Sequence, residues 1–277
     1  MGAERTIRAP HFGRCGAGRL AVLLRDPGQT WLREKGWPIL QATADFWASR
    51  VERNGPGHYD IKNVVAADEW AENVDNNAFT NAAAKVNLQN AAAAAKLLGL
   101  PANSDWALVA QNIPILRLPN GVTQEHATYQ GEGIKQGDVN LLAYPLKVIT
   151  DPAQIRKDLE YYETRVPNEG TPAMTQAIFA LLYARLGDGA KARQFFRDAY
   201  EPNLLPPFRV IAETKGGTNP YFATGAGGVL QAVLMGFGGL DITPTGIVQR
   251  KTTLPTGWQS VKITGVGPQR KTYSVAR

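Results

Sequence analysis

Glu69 stands between Asp68 and Trp70. A carboxylate beside an indole can occupy a partly apolar pocket, where burial raises its pKa and keeps it protonated as a general acid. The same three residues also fit a surface acidic pair at a helix start. A second carboxylate, Glu213, lies in the polar loop Ala212–Tyr221. Lys135 and Gln136 are adjacent within the Gly-rich run Gly131–Asp138, where their donors can bind sugar hydroxyls or simply face water. Gly225, Gly227 and Gly228 follow the Glu213 loop at a helix start that could in principle hold a phosphate on free N–H groups. No Gly-Lys-Ser/Thr ends that run, so it is not a P-loop. Close helix packing is the simpler use of these glycines. No cofactor and no metal is expected.

The elements that must position these residues are mostly helices. Glu69 sits in Val64–Asn81, a stretch crowded with Asp75, Asn73, Asn76, Asn77 and Asn81. Asn and Asp are poor helix formers, yet Ala78–Gly99 directly after them is strongly helix-prone and ends at Gly99, with Pro101 beyond. Apolar spacing predicts a helix over Trp37–Val51, broken by Asn54-Gly55-Pro56-Gly57, and a short strand in His58–Ala66. Further helices are expected at Ser104–Gln111, Asp151–Arg165, Thr171–Leu186, Ala190–Tyr200 and Ala223–Met235. Asp151-Pro152 is a good cap and first-turn pair. Residues 113–134 and 201–222 read as irregular. Short strands are expected after Gly239, at Gly246–Lys251, Gln259–Thr264 and Lys271–Val275. Consecutive helical hairpins point to an α/α barrel or a helical array.

Composition narrows the function classes. The 277 residues are 44% hydrophobic and 19% charged, ordinary for a globular chain. Apolar runs such as Ala91–Ala95 and the largely apolar Val229–Met235 are too short to span a bilayer, so no membrane partner is expected. The net charge is +6, and Arg5, Arg8, Arg14, Arg19 and Arg25 stand against only Glu4 and Asp26 at the start. Elsewhere the basic residues are scattered without aromatic interleaving, so no nucleic-acid partner is expected. Cys15 is the single cysteine and allows no intrachain disulfide. Leu20–Leu24 is too short for a signal-peptide core, which leaves the compartment undetermined.

Three longer motifs, ADEWAENVDNNAFTN, KQGDVNLLAYPL and NPYFATGAGGVLQAVLMGFGGL, occur in this order. Together they resemble glycoside hydrolase family 65, which includes maltose, trehalose and kojibiose phosphorylases, acid trehalases and related α-glucoside hydrolases. The resemblance runs from about Trp31 to the C-terminus. It implies an all-α class: the C-terminal half of an (α/α)6 barrel over residues 30–238, then a small β segment over 239–277. Residues 1–29 have no likeness to the family and are expected to be a disordered or misread leader. By position, Glu69 matches the general acid of the family, Lys135 and Gln136 match the pair that holds the transferred glucose, and Trp70 is a further substrate contact. Glu213 resembles the general base of the hydrolytic members. Inverting hydrolysis needs one protonated and one ionised carboxyl about 6.5–9.5 Å apart with water between them. Phosphorylases need no base, and their phosphate pocket typically includes a His and a Ser-rich stretch. His11, His58 and His126 all lie far from Glu213 in sequence, which favours hydrolase over phosphorylase. The implied substrate is an α-glucoside di- or oligosaccharide.

The family's enzymes are much longer. Their Phe-Trp-Asp-Thr-Glu type motif, which holds the same glucose, has no counterpart here, since Phe46-Trp47 is followed by Ala48 and Ser49. Exposing ~1,000 Å² of apolar barrel face would cost ~25 kcal/mol, more than a typical domain's stability. The expectation is therefore a truncated chain that folds poorly or needs the other half of the barrel, with little or no activity alone.

Overall fold

The computed structural model describes residues 7–8, 29–167, 172–243 and 246–277. The expected leader, residues 1–29, lies almost wholly outside them. The chain divides into two compact units, one of residues 1–132, 141–149 and 244–246, the other of 133–140, 150–243 and 247–277.

In the first unit a π-helical turn, Leu32–Gly36, runs into α1 (Trp37–Arg50), which buries Leu40, Ala44 and Trp47. Short strands follow. β1 (Ile7–Arg8) pairs in parallel with β4 (Val64–Val65), and β2 (Glu52–Arg53) pairs antiparallel with β3 (Tyr59–Asp60). α2 (Ala78–Leu98) opens where the Asn77 side chain accepts the Thr80 N–H, and closes at Gly99 with φ 66°. Only glycine adopts that left-handed C-cap without Cβ strain. α3 (Ser104–Asn112) is capped by Asn103, whose side chain accepts the Asp105 N–H. Leu40, Ala44, Trp47, Ile61, Leu88, Ala91, Trp106 and Val109 form one apolar core from these elements. On α2 the buried Ala84, Ala91 and Ala94 belong to this core.

In the second unit α4 (Pro152–Tyr162) is capped by Asp151, which accepts the N–H groups of Ala153 and Gln154. α5 (Ala173–Arg185) buries residues on every side, as a central helix must. α6 (Gly189–Asp198) returns along it after Gly187, φ 83°. A two-residue hairpin, β5 (Leu204–Leu205) with β6 (Val210–Ile211), interrupts the stretch expected to be loop. α7 (Ala223–Gln231) continues as a π-helical segment, Ala232–Phe237. Gly228 and Gly236 meet α5 at two residues one turn apart, Ala177 and Leu181. A Cβ on Gly228 would lie 3.1 Å from Ala177 Cβ, and one on Gly236 would lie 2.9 Å from Leu181 Cα. Gly228 and Gly236 thus serve close packing against α5.

β7 (Leu240–Thr243) pairs with β8 (Gly246–Gln249), and β9 (Ser260–Val266) forms an antiparallel hairpin with β10 (Lys271–Ala276). Trp258 packs edge-on to Phe196 and Phe237, at ring-centroid separations of 5.7 and 5.4 Å. The chain is helix-rich with short sheets, as expected, but no closed barrel is seen among the described residues. The helix ends match their expected positions within a few residues, and no helix among the described residues is long and apolar enough to cross a membrane.

Candidate active site

Glu69 and Trp70 occupy a tight turn. The Ala71 N–H donates to the Asp68 carbonyl, and the Ala66 N–H donates to the Ala71 carbonyl, each at 3.1 Å. Asp68 is buried at 1% exposure, and its Oδ1 accepts the Trp70 N–H at 3.1 Å. The turn therefore puts Asp68 inside and leaves Glu69 and Trp70 exposed, Trp70 at 52%. The apolar pocket expected beside Glu69 is not built by this turn, because Trp70 faces outward with it.

The asparagines around the turn are structural. Asn76 has φ 52° and Asn73 φ 55°, a region where Asn is enriched among non-glycine residues. Asn76 Nδ2 donates to Asp60 Oδ1 at 2.8 Å, while its Oδ1 accepts from the Ile61 N–H and from Asn81 Nδ2, both at 3.2 Å. Asn77 caps α2 and also donates from Nδ2 to the Glu125 carbonyl at 3.2 Å. Asp75 Oδ1 accepts the Asn63 N–H at 2.9 Å. These bonds join the strand region to the helix start and fix the chain on both sides of Glu69. The Glu132 carboxylate accepts its own N–H and that of Gln130, which holds its pKa below the ordinary value.

In the second unit the Lys135–Gln136 turn is anchored on α5. Lys135 is half-buried and Gln136 is buried. The next residue, Gly137, donates its N–H to Thr175 Oγ1 at 3.2 Å. A Cβ there would lie 3.1 Å from the Phe179 ring and 3.2 Å from Thr175 Cγ2, so glycine allows the turn to sit flat on the helix. Just before the pair, the Ile134 N–H donates to the Arg165 carbonyl at 2.9 Å.

Glu213 is half-buried and held through its backbone. Its carbonyl accepts the Ala173 N–H and Asn203 Nδ2, both at 3.1 Å, and Thr214 bridges to Pro172. Ala173 and Thr175 belong to the first turn of α5, so one helix start carries both the Lys135–Gln136 turn and the Glu213 loop. Thr175 and Asn203 were invisible to sequence reasoning, since each meets its partner only through the fold. Glu69 and Trp70 lie in the first unit, while Lys135, Gln136 and Glu213 lie in the second.

Residues 26–115 match the glycosyl hydrolase family 65 central catalytic domain, a range that includes Glu69 and Trp70. Kojibiose hydrolase of Mucilaginibacter mallensis is 76% identical over 245 residues, 88% of this chain and 36% of that protein. Kojibiose hydrolase of Flavobacterium johnsoniae is 63% identical over 244 residues, again 88% of this chain and 36% of the relative. Acid trehalase of Emericella nidulans is 34% identical over 235 residues, 80% of this chain and 22% of the relative. The chain thus spans about a third of the length of the first two relatives. A solved structure assigned as a kojibiose phosphorylase, from human microbiome, shares the fold at TM-score 0.71 and 16% identity, covering 91% of this chain and 40% of its own. On the domain match and these relatives together, the chain belongs to glycosyl hydrolase family 65.

Proposed function

We propose that this chain carries part of a site for inverting hydrolysis of an α-glucosidic bond in a disaccharide, with kojibiose as the first substrate to test. The observation that carries this is the 76% identity to a kojibiose hydrolase over 88% of this chain. Glu69 is the proton donor to the departing glycosidic oxygen. Glu213 is the base that deprotonates the attacking water. Its carboxylate makes no side-chain hydrogen bond among the described residues, which leaves its lone pairs for water. Lys135 and Gln136 hold the glucose being transferred, and Trp70 offers an exposed ring face to sugar. Inversion requires one carboxyl protonated and the other ionised, and these two carry those roles. The helices are proposed as the C-terminal half of an (α/α)6 barrel, residues 30–238, with 239–277 as the appended β segment.

The test follows purified chain on kojibiose without phosphate, by NMR of the released anomer. A second sample grafts this chain into the matching stretch of the Mucilaginibacter mallensis enzyme, which keeps the test decisive if the chain alone is slow. The expected product is β-glucose, lost in Glu69→Gln and in Glu213→Gln. Phosphorolysis is the rival reaction, because the fold is shared with a protein assigned as a kojibiose phosphorylase. A requirement for inorganic phosphate, with glucose 1-phosphate as product, would overturn hydrolysis.

A further inference from the structure

Asn203 closes the short 3-10 turn Glu201–Asn203, and only 4% of it is exposed. Its Nδ2 donates to two successive carbonyls, Ala212 and Glu213, each at 3.1 Å. The Ala212 N–H returns a bond of 2.7 Å to the Asn203 carbonyl. The peptide unit that carries Glu213 is therefore gripped from one side by a single residue. The Ala173 N–H completes the grip at 3.1 Å. Beyond it the chain is open: Lys215, Gly216 and Thr218 to Tyr221 are exposed, and Gly216 has φ 68°.

Glu213 is held through its own carbonyl, which accepts from Asn203 Nδ2 and from the Ala173 N–H. We propose that Asn203 is the positioning residue for Glu213, an inference that rests on Glu213 being the base. Only a primary amide of this length offers two N–H groups to two adjacent carbonyl oxygens. Aspartate has the same shape but turns acceptors toward those oxygens. Alanine leaves both carbonyls without this donor. A base displaced by about 1 Å can lose on the order of a hundredfold in rate while substrate binding is untouched.

The experiment compares wild type, Asn203→Ala, Asn203→Asp and Glu213→Gln by amide hydrogen exchange in the full chain and by glucose release from kojibiose in chain and graft. In both Asn203 variants the Ala173 and Ala212 amides should exchange about tenfold faster, as local opening becomes easier, while α1–α3 keep their protection. Turnover, kcat, should fall at least about tenfold with KM within about twofold, and Asp should be worse than Ala. A merely structural asparagine would lower the melting temperature and leave kcat in place. Should both variants fail to fold, Asn203→Ser keeps one donor and is scored by the same kcat-against-KM split. If Glu213→Gln abolishes turnover while the Asn203 variants keep wild-type kcat, the inference is overturned alone. If Glu213→Gln keeps full turnover, the role of Glu213 falls, and the inference falls with it.

Discussion

Thr175 Oγ1 accepts the Gly137 N–H at 3.2 Å, two residues along α5 from the Ala173 N–H that reaches the Glu213 carbonyl. One helix turn thereby fixes the segment bearing Lys135 and Gln136 and the segment bearing Glu213. Helix starts have free N–H groups to give, and here Ala173 gives its own to the Glu213 loop.

Thr175→Val keeps the shape of the side chain and removes the acceptor. The Gly137 N–H is then buried without its partner, at a cost of about 1–3 kcal/mol. Urea unfolding should show that loss, and calorimetric titration should show weaker glucose binding. Thr175→Ser keeps the hydroxyl and should stay near wild type in binding. Equal glucose affinity for Val and wild type would mean that the anchor does not set the Lys135–Gln136 turn.

The glycines of α7 and its π-helical extension divide by what stands opposite them. At Gly236 a Cβ would meet Leu181 Cα at 2.9 Å, a backbone atom that cannot swing aside. Gly236→Ala should destabilise by about 1–3 kcal/mol through forced separation from α5. At Gly227 nothing lies within 4 Å of the added carbon. Gly227→Ala should stabilise by roughly 0.5–1 kcal/mol, the usual helix-interior gain. Melting temperatures moving in opposite directions would confirm the contrast.

That contrast also marks what the sequence could and could not disclose. α2 was legible because its signals are local: an asparagine cap, an alanine-rich body and Gly99 just beyond. Gly236 and Gly227 are alike as text, and only packing against Leu181 separates them. The Asn-rich stretch announced itself as anomalous, and local rules suffice to explain Asn77 as a cap. They do not reveal that Asn76 reaches Asp60, Ile61 and Asn81 at once. Glu69 stood out by motif, but the turn that leaves it exposed depends on Asp68 taking the buried place. Asn203 and Thr175 had no signal at all, because a hydrogen bond to a distant main chain has no sequence period.

Asn76 should therefore be among the costliest single changes near Glu69. Asn76→Ala removes three side-chain bonds and leaves a non-glycine residue at φ 52°. Together these should cost at least about 3 kcal/mol. Asn76→Gly relieves the backbone part and should lie between alanine and wild type. Chemical denaturation orders the three, and alanine at or above glycine would show that the backbone conformation carries no strain.

Tyr183 on α5 donates to Glu163 Oε2 at 2.5 Å, and Lys191 on α6 donates to Glu163 Oε1 at 2.5 Å, tying α4, α5 and α6 at one carboxylate. Burial first, and then the bond to Glu163, push the Tyr183 phenol well above its ordinary value. The folded state thus keeps a proton that the unfolded chain gives up near pH 10. Stability from this group is full below about pH 10 and drains away as pH rises beyond it. At pH 7 Tyr183→Phe should be weaker by about 1–3 kcal/mol, since Glu163 loses a donor. Above pH 10 the wild type should fall more steeply than the variant, and the two urea midpoints should converge. Parallel curves across that range would show that the phenol does not report on the junction of the three helices.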